Sequence, residues 1–241
     1  MPIIPLRDNI PTLRYPLVNK LLVGANVAVF LYELTQLQQL PWVLQRWGLI
    51  PARLWGLAPT GGLDPSPESA LALPPAWLTL FTSMFLHAGW VHIGSNMLYL
   101  WIFGDNVEDR LGHLRYFLFY LLVGAVAGLM QAALSPYSVV PTVGASGAVA
   151  GVLGAYLLLY PWARISTLVP VLFFLTVLDV PAWLFLALWF LLQLWNGALS
   201  IAADPSVVRG VAWWAHIGGF VAGVLLLRWW KVRRRPAVPP W

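Results

Sequence analysis

Cysteine is absent from the 241-residue sequence, and charged residues are scarce. The lack of cysteine excludes disulfides, thiolate nucleophiles and cysteine-based metal sites. Only 10% of the residues are charged, whereas soluble domains typically carry about 25%. The amino-terminal stretch MPIIPLRDNIPTLRYP lacks the apolar core of a cleavable signal sequence. The first long apolar block is therefore expected to be retained as a membrane span.

Apolar residues are what the sequence has in excess, at 60% of the chain with a mean hydropathy of +0.75. They occur in blocks of roughly 18 to 22 residues, the length at which a helix crosses about 30 Å of hydrocarbon. This pattern predicts an all-α integral membrane protein with about six transmembrane helices. The predicted spans are roughly 17–37, 91–102 with extensions at either end, 116–134, 146–160, 181–199 and 211–230.

Two apolar segments fit this scheme less easily. Residues 40–59 follow the first span, and their tryptophans and two arginines favour an interfacial helix or loop lying along the bilayer. Residues 165–181 are apolar but are interrupted by Pro170 and end close to Asp179. We interpret them as an interfacial or re-entrant piece. The alternative is one long, tilted fifth helix over residues 165–199.

Basic residues predict the orientation, because cytoplasmic loops carry an excess of Lys and Arg. An even number of spans places both termini on one side of the membrane. That side collects Arg7, Arg14, Lys20, Arg110, Arg115, Arg164, Arg228, Lys231, Arg233, Arg234 and Arg235, whereas the other side has Arg46, Arg53 and Arg209. We therefore expect a cytoplasmic segment 1–16, a membrane domain 17–230 and a basic cytoplasmic tail 231–241. The net charge of +5 is then a membrane-anchoring feature and does not indicate a nucleic-acid partner.

Polar side chains in the predicted spans are the candidate functional residues, because such groups are costly inside a membrane. Ser146 opens the fourth span, His216 lies early in the sixth, and His87, His92 and Asn96 lie at or in the start of the second. All three spans start at the outer face, so these side chains are expected at one shallow level. A serine and a histidine at one level are the minimum for nucleophilic catalysis, since the imidazole takes the hydroxyl proton as the oxygen attacks.

Glycine spacing predicts how the serine and the histidine meet. Two pairs of glycines are four residues apart: Gly147 with Gly151, and Gly219 with Gly223. Such pairs let helix backbones approach closely, so we expect span four to dock on span six. His92 and Asn96 are also four apart and point the same way. Together with the backbone N–H of Ser146, they are candidate donors to an oxyanion.

Each of these features also has a structural interpretation. A serine in a Gly/Ala-rich helix is most often a packing residue, and a lone membrane histidine is somewhat more often a hydrogen-bonding residue between helices. The abundant aromatic residues are mostly those of an interfacial belt. A channel or transporter would need polar groups along a path across the membrane, whereas these groups share one level. Their common depth favours catalysis.

Four stretches together resemble motifs of the rhomboid family of intramembrane serine proteases. They are GASGAVAG from Gly144, AHIGGFVAG around His216, HAGWVHIGSN ending at Asn96, and GDNVEDRLG from Gly104. The resemblance implies a compact bacterial six-span member with Ser146 as nucleophile and His216 as base. It also implies an oxyanion hole built from His92, Asn96 and the Ser146 amide.

The resemblance further implies cleavage of transmembrane segments near their outer ends, in a bacterial inner membrane. The implied partners are transmembrane protein substrates and the lipid bilayer, and no metal or organic cofactor is implied. The alternative is a catalytically silent rhomboid-like protein that binds membrane clients, although silent relatives usually lose the nucleophile or the histidine.

The sequence departs from the family pattern at one position near the nucleophile. Many rhomboids carry an aromatic residue four positions after the serine, packed against the histidine, and here that position is Ala150. We expect Trp213 or Trp214 to hold His216 in its place. Asp179 is not expected to complete a triad, because the topology puts it at the cytoplasmic side. Its predicted role is at a helix start.

Overall fold

The computed structural model describes residues 4–57, 73–171, 174–202, 211–230 and 232. Six long helices dominate these residues, and each coincides with a predicted span to within a few residues, apart from a longer second helix. They are α1 (Leu17–Thr35), α2 (Trp90–Leu111), α3 (His113–Leu134), α4 (Ser146–Leu159), α5 (Ala182–Ala202) and α6 (Trp213–Trp229). Short helical turns lie at Leu37–Gln39, Leu40–Trp47, Pro51–Leu54, Ala76–Leu78, Thr79–Thr82 and Ser83–Phe85.

Three helices in the described part of the chain are long and apolar enough to cross a membrane: Leu17–Thr35, His113–Leu134 and Ala182–Ser200. Helix α4 is shorter, at 14 residues, and α6 has 17. Helix α2 has the length, but its second half carries Asp105, Glu108, Asp109 and Arg110. The protein is thus a mostly helical membrane protein.

A three-stranded antiparallel sheet shows that the all-α prediction was wrong. It consists of β1 (Ile4–Asp8), β2 (Arg164–Val171) and β3 (Phe174–Pro181), in the order β1-β2-β3. Residues 165–171 and 174–181 therefore pair as antiparallel strands of a hairpin and are not part of a long fifth helix. Their β-branched and aromatic residues favour strand. Pro170 is tolerated because β1 pairs with β2 only as far as Leu168.

The hairpin fixes the position of Asp179 far from Ser146. Asp179 lies opposite Ser166 in the hairpin, three residues before α5, and accepts a hydrogen bond from the Ser166 hydroxyl at 2.7 Å. The base of the hairpin adjoins the carboxyl end of α4, where Ala182 N–H donates to Ala163 O at 2.8 Å. Ser146 is at the opposite end of α4, which is about 20 Å long.

Buried polar contacts tie the amino-terminal residues to α2. Glu108 is 2% exposed, and its carboxylate accepts hydrogen bonds from the backbone N–H groups of Val18 and Asn19 at 2.9 and 2.7 Å. It thereby caps the start of α1, where an anion is favourable. Asp8 of β1 accepts hydrogen bonds from Asn106 at 2.9 Å and Tyr156 at 2.5 Å. These contacts hold β1 and α1 against the central helices.

Helices α4 and α6 meet through their backbones, as the glycine spacing predicts. A Cβ atom at Gly219 would overlap the carbonyl of Gly147, and one at Gly223 would overlap the carbonyl of Gly151. The Cβ positions of the two α4 glycines instead face α3, at Ala127 and Val123 respectively. Helix α4 is therefore packed between α3 and α6, with the glycines of α6 making the close approach to its carbonyls.

We expect Gly219→Val to lower the unfolding temperature, because the added side chain would force α4 and α6 apart at a backbone contact. Overpacking of this kind costs about 1–3 kcal/mol or more. The matched control is Gly24→Val in α1, where an added Cβ meets nothing within 4 Å. Equal unfolding temperatures for the two variants, measured in the same detergent, would contradict the close approach.

Candidate active site

The structure brings Ser146 and His216 into direct contact. Ser146 is the first residue of α4, and His216 lies in the first turn of α6. The Ser146 hydroxyl is 2.8 Å from His216 Nε2. The backbone contacts at the glycines of α4 and α6 set the spacing that permits this pair. A hydroxyl that donates to an imidazole nitrogen is the arrangement from which a serine is activated as a nucleophile.

The loop before Ser146 turns at Gly144, whose φ of 119° is rarely adopted by a residue with a side chain. Its N–H donates to Ser83 O at 2.9 Å. A Cβ atom at Gly144 would overlap His92 Nε2 and lie 3.7 Å from Asn96 Nδ2. The two side chains of α2 therefore point the same way, at the backbone two residues before the serine.

Both of these side chains have hydrogen-bonding capacity directed at the loop. Asn96 is 5% exposed, and its buried Nδ2 has no hydrogen-bond partner among the described residues. His92 Nδ1 accepts a hydrogen bond from Ala88 N–H at 3.4 Å. A neutral imidazole that accepts at Nδ1 carries its proton on Nε2. The Nε2–H of His92 thus faces Gly144 as a donor.

A third histidine, His87, packs against His92 but does not contact Ser146. The ring of His87 lies edge-on to that of His92, with ring centroids 5.1 Å apart. Its backbone N–H donates to both carboxylate oxygens of Glu33 in α1, each at 3.1 Å. Burial, together with the neighbouring His92, lowers the pKa of His87 to about 4. His87 is therefore neutral at physiological pH, and it links the loop before α2 to α1.

One of the two tryptophans expected beside His216 lies there, together with an aromatic residue that was not expected. Trp213 is in contact, with its ring edge-on and its centroid 6.1 Å from that of His216. Trp214 packs near Gly197 of α5. The second aromatic neighbour is Trp189 of α5, tilted by 33° at 6.0 Å, which the sequence analysis missed. Two tryptophans thus border the histidine where Ala150 provides no ring.

A second residue that the sequence analysis missed is Gln193, also on α5. Its side-chain Oε1 is 2.8 Å from His216 Nδ1, and the residue is 6% exposed. The available signal was a polar side chain inside a predicted span, which is costly unless it has a partner. Trp189 and Gln193 are four residues apart, so one face of α5 supplies both contacts.

The segment after α1 supports the loop that carries Gly144. Leu49 exchanges two backbone hydrogen bonds with Thr142, at 3.0 and 2.8 Å. A cavity of about 20 Å³ lies between Ser146, Ser83 and Met84, which is room for about one water molecule. The described residues contain no group of three or more His, Asp or Glu side chains that could hold a metal ion.

Comparison with known proteins shows the family. The rhomboid domain model matches residues 74–233, which include all four side chains of the candidate site. The chain belongs to the rhomboid family. This confirms the resemblance that the four sequence motifs indicated.

Curated relatives match over part of their length. Rhomboid protein 1, mitochondrial, of Saccharomyces cerevisiae is 34% identical over 153 residues, covering 61% of this chain and 40% of that protein. Rhomboid-like protein 11, chloroplastic, of Arabidopsis thaliana is 39% identical over 94 residues, covering 38% and 33%. Rhomboid protease GluP of Bacillus subtilis is 40% identical over 90 residues, covering 37% and 17%. The match thus spans less than half the length of each of these relatives.

Proposed function

We propose that this chain is an intramembrane serine endopeptidase that cleaves transmembrane segments of membrane proteins with a Ser146–His216 dyad. The observation that carries the proposal is the 2.8 Å contact between the Ser146 hydroxyl and His216 Nε2. Family membership supports it, since a relative from Bacillus subtilis is named a rhomboid protease.

The chemistry is acyl transfer in two halves. Ser146 Oγ attacks the scissile carbonyl carbon while His216 Nε2 takes the hydroxyl proton. The tetrahedral intermediate collapses, and His216 returns the proton to the leaving amine, which gives an acyl-serine and the first product. A water molecule then attacks the acyl-serine with His216 again as base. This releases the second product and restores the serine hydroxyl.

His92, Asn96 and the Ser146 backbone N–H are the proposed oxyanion donors. Two observations support this role: Asn96 Nδ2 is buried without a partner among the described residues, and the Nε2–H of His92 faces Gly144. A carbonyl oxygen that becomes negatively charged beside Gly144 would pair with both. Donors fixed before the reaction stabilise the transition state without reorganising.

The proposed topology has six spans, α1 to α6, with both termini cytoplasmic in a bacterial inner membrane. His92, Ser146 and His216 all lie within the first four residues of their helices. If those helices start at the outer face, the three side chains share one level, within about 5 Å along the helix axes. Residues 1–16 and 231–241 are then cytoplasmic flanks of the membrane domain 17–230. β1 joins the first flank to that domain through β2.

The test is cleavage by the purified protein in liposomes of a single-span membrane protein with small residues near its outer end. The expected result is a cut near that end, in the absence of added metal or cofactor. A correctly folded protein that binds such a substrate but does not cut it would contradict the proposal. That outcome would support the silent, client-binding alternative.

We expect Asp179→Asn to leave proteolysis within about three-fold of the parent, because Asp179 lies at the far end of α4 from the dyad. The measurement is the cleavage rate in detergent and in liposomes. Ser166→Ala, which removes the hydroxyl that bonds Asp179, should behave in the same way. A loss in Asp179→Asn as large as that in His216→Ala would make the carboxylate a third catalytic group.

A further inference from the structure

His216 is bonded at both ring nitrogens by residues from different helices. Nε2 meets the Ser146 hydroxyl of α4, and Nδ1 meets Gln193 Oε1 of α5, each at 2.8 Å. Gln193 is the buried polar side chain of α5 in the described part of the chain. Its contact with the histidine explains why an amide is present in an otherwise apolar helix face.

The orientation of the Gln193 amide is fixed by a second hydrogen bond. Its Nε2 donates to the backbone carbonyl of Trp189, one turn earlier, at 3.1 Å. An amide nitrogen can only donate, so this bond leaves the oxygen facing the histidine. That oxygen can only accept, and Nδ1 of His216 must therefore carry the proton.

We propose that Gln193 is the positioning residue of the dyad, which holds His216 in the tautomer that leaves the Nε2 lone pair free for the Ser146 proton. The inference rests on the proposed proteolytic function. A histidine protonated at Nε2 instead would face the serine with an N–H and would not act as its base. Trp189 packs against the His216 ring, and Gln193 keeps the proton of that ring on Nδ1.

Gln193 differs from the carboxylate of a serine protease triad because it is neutral. It orients the imidazole but adds no charge to stabilise an imidazolium. In an apolar helix bundle, a neutral acceptor avoids the desolvation cost of a buried carboxylate. Gln193→Glu is therefore informative. It keeps an acceptor oxygen beside His216 Nδ1 and changes only the charge, so the effects of orientation and of charge can be measured separately.

Three variants in purified form separate positioning from packing. Gln193→Met keeps the side-chain length and removes the acceptor. Gln193→Glu keeps an acceptor and adds a charge. Asn196→Leu is the matched control, since Asn196 on the same helix donates to the Leu192 carbonyl in the way that Gln193 donates to Trp189. For each variant we would measure kcat, KM, the unfolding temperature and the rate at which a fluorophosphonate labels Ser146.

The inference predicts that Gln193→Met lowers both kcat and the labelling rate by about 10-fold to 10²-fold, with KM within about two-fold of the parent. Gln193→Glu should retain labelling within about five-fold of the parent. The acid limb of its pH–rate profile should move to higher pH, because an adjacent carboxylate stabilises the protonated imidazole. Asn196→Leu should match the parent. If Gln193 only fills space, the order of activities should be reversed: Gln193→Glu, with its buried carboxylate, should lose more activity than Gln193→Met.

Two results would overturn the inference. One is a Gln193→Met variant with parental kcat and labelling. The other is a Gln193→Glu variant whose pH profile has an unshifted acid limb, and this second test holds even if Gln193→Met does not fold. A parent protein that neither cleaves nor is labelled refutes the proposed function itself. If the parent is active and the Gln193 variants keep its kcat, labelling rate and pH profile, only the positioning role is refuted.

Discussion

Ser146→Ala should abolish proteolysis, with a fall in rate of about 10³-fold or more, while the unfolding temperature stays close to that of the parent. The substitution removes the attacking oxygen and nothing else of the bundle, since His216 keeps its contact with Gln193. His216→Ala should be as severe, because it removes the base. The measurement is single-turnover cleavage of a helical membrane substrate in liposomes.

The control for this prediction is Ser200→Ala in α5, whose hydroxyl donates only to the nearby Gly197 carbonyl at 2.7 Å among the contacts described. It removes the same group from a helix at a similar degree of burial and should leave the rate unchanged. Residual cleavage by Ser146→Ala at a rate near that of Ser200→Ala would show that another group is the nucleophile.

Asn96→Ala should lower kcat by about 10-fold to 10³-fold with a smaller effect on KM, because the lost donor acts only on the charge that develops in the transition state. His92→Ala should act in the same direction. Steady-state kinetics over a range of substrate concentrations in mixed micelles separates the two parameters. Asn196→Ala, which removes an amide that bonds within α5, is the matched control.

An unchanged kcat in both Asn96→Ala and His92→Ala would return this pair to a packing role. A rise in KM alone would show that the two side chains bind the ground state and the transition state equally well. Either result would leave the Ser146–His216 contact in place but would remove the proposed oxyanion hole.

The long helices were predictable because span length and composition are local properties of the chain. The apolar blocks indicated the six long helices α1 to α6 directly, with boundaries within a few residues apart from the longer α2. The sheet was not predictable in this way. β1 pairs with β2 about 160 residues later in the chain. The local sequence of a strand does not indicate which distant strand it pairs with.

The candidate site could be proposed from the sequence where polar side chains occur near the starts of predicted spans, as with Ser146, His216, His92 and Asn96. Gln193 and Trp189 were missed because their contact with His216 depends on how α5 is rotated about its axis. Hydropathy carries no information on that rotation. The same limit explains why Trp213 was expected beside the histidine while Trp189 was not.

The glycine pairs show a similar division. The spacing of Gly219 and Gly223 predicts a close approach, and both face carbonyls of α4. The spacing alone does not indicate which helix each glycine faces. In the structure, a Cβ atom added at Gly147 or Gly151 would point at α3. Helix α4 therefore depends on small residues on two sides at once.

The central claim is that Ser146 is the nucleophile, and mass-spectrometric mapping of a phosphonate adduct tests it most directly. The purified parent is incubated with a fluorophosphonate until proteolysis stops, and the modified residue is identified in a digest. The account predicts one adduct, on Ser146, formed in step with the loss of proteolysis and strongly slowed in His216→Ala. An adduct on a different residue that tracks the loss, or continued proteolysis with Ser146 fully modified, would contradict it.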